Sequence, residues 1–157
     1  MSVAATANVG IPQIDSIDLS DSLAEGALRD LLGAFPHIRF GVTGSCMAPA
    51  LDAGDTVHLA RPGLHRPRFG DIVLRRHPQG LRLHRLVWQP PARFGAWRTR
   101  ADRSLVWDPP LAPIDVLATV VWVEGKGRPH PTLAGCRSLV SGLLARARTA
   151  FRPVVQA

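Results

Sequence analysis

The sequence predicts a mostly-β domain with a short helix before it and a basic amphipathic helix after it. Three observations carry this. Alternating or continuous apolar runs, separated by Gly, Pro and Asp, recur from residue 38 to residue 123. Helical spacing occurs only near 22–32 and 133–151. At 157 residues the chain can bury one modest core but not two. The expected division is a leader over 1–21, a domain over 22–124 that includes the first helix, and a linker with the basic helix over 125–157.

Residues 1–19 mix Ala, Gly, Pro, Ser and Asp without a period and are expected to form a flexible leader. Ser22-Leu23-Ala24-Glu25 reads as a capping box. Leu23, Ala27, Leu28, Leu31 and Leu32 then repeat at helical spacing until Gly33, which predicts a helix over 22–32 packed on the β domain. Ile38, Phe40 and Val42 alternate with polar residues as a half-buried strand, and Thr56–Ala60 reads as the next one. Gly70-Asp71 opens a strand over 72–75. The turn His77-Pro78-Gln79-Gly80 sends the chain back antiparallel over 81–88, with Arg82, His84, Leu86 and Trp88 on one face. After Pro90-Pro91 the pattern resumes over 96–99. Val116–Val123 is a β-branched run expected to be buried on both faces.

Between the first two strands lies Gly44-Ser45-Cys46-Met47-Ala48-Pro49, followed by Gly54-Asp55. Gly44 permits a tight backbone approach, Pro49 fixes φ, and Gly54-Asp55 turns into the next strand, so Cys46 sits on a constrained loop. This stretch resembles the nucleophile box of the signal peptidase family, which shares its fold with the self-cleaving LexA-type repressors. The family's box reads Gly-x-Ser-Met-x-Pro before a Gly-Asp turn, and here Cys46 takes the serine's place. Gly70-Asp71-Ile72-Val73, Leu83-His84-Arg85, Thr99-Arg100-Ala101-Asp102 and Asp108-Pro109-Pro110 resemble the later boxes in order. The resemblance covers roughly residues 38–123 and implies a barrel-like β domain closed by the strand at 116–123.

The resemblance further implies an endopeptidase acting on a peptide or protein substrate held extended beside a sheet edge. Lys126 is the sole lysine and lies after the last strand, so a Ser/Lys dyad is excluded. His84 matches the base, and its ordinary pKa lets it accept a proton at neutral pH. A thiol is more readily ionised by such a neighbour than a hydroxyl. Cys46 is therefore expected as nucleophile and His84 as base, with Asp108, or secondarily Asp102, orienting the imidazole. Gly44, Met47 and Pro49 would contact substrate. Alternative readings are an inert Cys46 in a peptide-binding or maturation accessory protein, and Ser45 as nucleophile, against which Met47 and Pro49 set the register.

The formal charge is +7, unevenly spread: residues 125–157 carry six bases and no acid. The helix near 133–151, with Leu133, Leu139, Val140, Leu143, Leu144 and Phe151 on one side, could lie on an anionic membrane surface. An acidic leader and a tail without interleaved aromatics argue against nucleic acid. No apolar run spans a bilayer and no secretory signal opens the chain, so a cytoplasmic protein is expected. Cys46 and Cys136 read as free thiols. Six scattered histidines offer no metal spacing, and no cofactor motif occurs.

Overall fold

The computed structural model describes residues 11–14, 22–91 and 94–129. The expected C-terminal helix and most of the expected leader lie outside them. Seven strands, β1 (Gln13–Ile14), β2 (His37–Gly41), β3 (Thr56–Ala60), β4 (Ile72–His77), β5 (Gly80–Trp88), β6 (Arg98–Arg100) and β7 (Val116–Val123), form one sheet in the order β1-β2-β3-β7-β4-β5-β6. Every pairing is antiparallel except β1 on β2. The sheet is not a closed barrel, because β1 and β6 are its two edges among the described residues. β7 does not close it either. It lies in the middle, between β3 and β4, and Val116–Val120 are all buried there. The run ends less buried than its composition predicts, with Trp122 about half exposed.

The helix α1 (Ser22–Ala34) runs through Gly33, beyond the stop expected there. It buries Leu28 and Leu32 while Ala27, expected on the same side, faces solvent. Burying two leucines contributes about 1.5–3 kcal/mol each. The Glu25 carboxylate accepts from Arg29 Nε at 3.0 Å and Arg76 Nε at 2.6 Å, tying α1 to β4. Gln13 and Ile14, expected in a structureless leader, instead pair in parallel with Arg39 and Phe40.

Two Gly-Asp turns aim the strands that carry the site. Gly54 and Gly70 both adopt φ +93°, where an L side chain is strained. In each, the aspartate carboxylate accepts the backbone N–H of the residue three before it, Asp52 for Asp55 and Arg68 for Asp71, both at 2.8 Å. The two boxes are thus one structural device used twice. Ile38, Phe40, Val57, Leu59, Ile72, Leu74, Ala118 and Val120 build the main core from strands across the sheet. No helix among the described residues is long and apolar enough to cross a membrane.

Candidate active site

The loop between β2 and β3 presents Cys46. Its base is pinned by Val42 N–H to Asp55 O at 2.8 Å and Gly54 N–H to Val42 O at 2.7 Å, and its middle by Leu51 N–H to Met47 O at 3.0 Å. Met47 and Leu51 anchor it from below, both essentially inaccessible in the core. Met47 therefore cannot touch a substrate as expected; its side chain is the loop's root. Cys46 is exposed and a free thiol. Pro49 is exposed, behind a cis Ala48–Pro49 bond. Gly44 is exposed as well, and a side chain built there would meet nothing within 4 Å. The tight approach read from Gly44 is not made by the chain itself, so the space two residues before Cys46 is open.

β2 and β5 are far apart in strand order, yet the residues after β6 bring their surroundings together. Arg103 N–H donates to Cys46 O at 3.1 Å, and Asp108 N–H donates to Thr99 O at 2.9 Å. The span 101–108 thereby bridges the Cys46 loop and β6. His84, near the middle of β5, is buried. Its Nδ1 lies 2.6 Å from Asp108 Oδ2. Asp102, expected as the second candidate to orient His84, is not there. It grips Arg85, the next residue on β5, through Nε at 2.7 Å and Nη2 at 2.5 Å. Side chains alternate along a strand, so His84 and Arg85 face opposite ways and take different aspartates of one loop.

Two residues to which the motifs gave no role, Thr99 and Arg75, stand behind Asp108. Thr99 donates its hydroxyl to Asp108 Oδ2 at 2.5 Å, and Arg75 Nη1 donates to Thr99 Oγ1 at 2.9 Å and to Pro109 O at 3.1 Å. Arg75 Nη1 also stands 3.7 Å from Asp108 Oδ2, and both Arg75 and Thr99 are buried. The chain Arg75, Thr99, Asp108, His84 is continuous, and charge-assisted bonds of this kind are about twice as strong as neutral ones. The available sequence signal is that Thr99 opens a motif box and Arg75 closely follows another on its strand, and a buried polar residue needs partners.

These contacts shift the titrations. A hydrogen bond with His84 holds the Cys46 thiol below its ordinary value against the opposing pull of burial; the charges of His84 and, more weakly, Arg82 add to it. Burial favours neutral His84, but hydrogen bonds with Asp108 and Cys46 and their charges push it up to about 9. Burial also works against the Asp108 charge, yet His84, Thr99 and Arg75 keep its carboxyl below the usual carboxylate range. Cys46 is thus eased towards the thiolate while His84 is held towards the imidazolium and Asp108 towards the carboxylate, a set whose members can in principle attack a carbonyl and deliver a proton. Among the described residues no group of three or more His, Cys, Asp or Glu could hold a metal ion.

Comparisons with protein-family models, with curated proteins and with solved structures found no match. The likeness to signal peptidases rests on the motif residues alone.

Proposed function

We propose that this protein is a thiol endopeptidase of signal-peptidase-like fold, acting through Cys46, His84 and Asp108. The observation that carries the reading is the Asp108 to His84 contact at 2.6 Å, and the influence of that imidazole on the exposed Cys46 thiol supports it. In this mechanism Cys46 Sγ, as thiolate, attacks the scissile carbonyl carbon. His84 gives its proton to the departing amine, leaving a thioester on Cys46. His84 then takes a proton from water, whose oxygen attacks the thioester, releases the acyl group as the carboxylic acid and returns Cys46 as the thiolate beside the imidazolium. Asp108 holds the imidazole through Nδ1, leaving Nε2 for the nucleophile. Backbone N–H groups of the Cys46 loop would receive the developing oxyanion. The open space at Gly44 would admit substrate backbone, and an extended peptide would lie along a sheet edge by strand addition.

The test needs no substrate: the alkylation rate of Cys46 against pH in a Cys136→Ser background, with and without His84→Ala. The expected result is a thiolate titrating well below about 8.5 that moves up when the imidazole is removed. A thiol at its ordinary value and indifferent to His84 would replace this reading with the non-catalytic peptide-binding one. Once a substrate is known, Cys46→Ala should abolish its cleavage.

A further inference from the structure

Most charged side chains of the described residues answer one another. Glu25 holds Arg29 and Arg76, Glu124 holds Arg39 and His58, Asp52 and Asp55 hold Lys126, and Asp102 holds Arg85. Arg82 and Arg103 stand outside these ion pairs, as Arg61, Arg66, Arg68, Arg98 and Arg128 do elsewhere, but these two lie around Cys46. The nearby carboxylate, Asp108, is consumed by His84, Thr99 and Arg75. Arg82 precedes His84 by two residues on β5, so it shares that residue's face, and its charge reaches the Cys46 thiol. Arg103 is exposed, with its own N–H on Cys46 O at 3.1 Å. Neither Arg82 nor Arg103 has an acidic partner among the described residues. In register, Arg82 stands opposite Arg75, another cation.

Like charges gathered without counter-charge repel one another, and an arriving anion relieves that repulsion. We infer that the peptide this site takes is acidic, a side-chain carboxylate next to the scissile bond lying between Arg82 and Arg103. Arg82, on the His84 face of β5, and Arg103, whose backbone meets Cys46 O, are then the specificity-determining groups. A lysine or arginine there would meet uncompensated positive charge, which gives rejection as well as attraction.

This inference rests on the thiol-peptidase reading, and its test separates the two. Three tripeptide iodoacetamides, alike except for a Glu, Gln or Lys side chain, are compared as alkylators of Cys46 in the Cys136→Ser protein. The expected order is Glu over Gln over Lys, at about threefold per arginine engaged, a size set by exposed ion pairs. Because the His84 imidazolium itself attracts anions, the deciding variant is Arg82→Gln with Arg103→Gln. There the Glu to Gln ratio should fall about ninefold, the product of two such contributions, and 0.5 M salt should mimic that fall in the parent by screening. A ratio near one in the parent, or one unchanged in the double variant, overturns the acidic-substrate inference alone when the thiol is still fast and His84-dependent. A slow thiol insensitive to His84 with all three probes takes down the peptidase reading and this inference with it.

Discussion

His84 and Arg85 are neighbours on one strand, each paired with an aspartate from the same loop, and they teach opposite lessons. The Arg85–Asp102 pair is bidentate, with side chains 3% and 5% exposed, and Arg85 Nη1 also reaches Gly70 O at 2.7 Å. Its geometry leaves nothing to react; it clamps the 101–108 span to β5 and the Gly70 turn. The His84–Asp108 pair is more open, at 10% and 12%, and its imidazole also lowers the titration of the Cys46 thiol. One ion pair is satisfied within the chain, the other leaves a nitrogen for chemistry. Placing both aspartates in one short loop couples the fold of the site to its function.

The largest expected effect comes from breaking the clamp. Asp102→Ala strands the Arg85 guanidinium in the interior, and removing one partner of a buried pair costs about 3–5 kcal/mol. A urea midpoint shift at unchanged slope would measure it. A loss below 1 kcal/mol would mean that the clamp is not structural.

Breaking the other pair tests charge more than stability. Asp108→Asn should lower the His84 titration midpoint by about one to three units, the size of losing an opposite charge within contact. The starting point is about 9, and an imidazole proton resonance followed against pH would read the change. The sign for stability follows. His84 titrates above its ordinary 6.5, so its contribution is complete below pH 6.5 and fades as pH rises through 9. The deficit of Asp108→Asn should accordingly narrow from pH 6.5 towards pH 9. Cys46 runs the other way: its lowered thiol contributes stability above the ordinary thiol range and loses it as pH falls through the depressed value.

The smallest expected effect sharpens the comparison. Thr99→Val removes the hydroxyl linking Arg75 to Asp108 and should cost about 1.5–3 kcal/mol as the loss of a bond to a charged group. It should also move the pH profile of Cys46 alkylation, and Thr99→Ser should restore that profile. Loss of stability with an unmoved profile would reduce Thr99 to a packing residue.

Much of the local plan could be read from residue order. The strands Thr56–Ala60 and Val116–Val123 have the bounds that their punctuation predicts, since a Gly-Asp turn and a Pro-rich stretch each leave a short apolar run one start. β1 could not be read that way. Two residues hold no period, and only the free edge of β2 makes a strand of them. Gly33 failed as a helix stop because contacts of the helix with the sheet outweigh a propensity cost near 1 kcal/mol. Met47 looked like a substrate contact by its place in the box, yet the loop needs a root, and a large apolar side chain beside an exposed cysteine supplies one.

Residue order by itself determined where Cys46 sits, on a loop between a half-buried strand and a Gly-Asp turn, and that His84 follows a hairpin on the face shared with Arg82. These are consequences of period and turn chemistry, which act over a few residues. Only the tertiary structure decided which aspartate meets which base, that Arg75 and Thr99 stand behind Asp108, and that the sheet keeps two edges. Those outcomes turn on contacts between segments distant in the chain, such as Arg75 with Pro109 O and Arg103 with Cys46 O. Place in the motifs only ranks Asp108 ahead of Asp102, whereas a buried guanidinium on one face of β5 and an imidazole on the other give each aspartate its own partner.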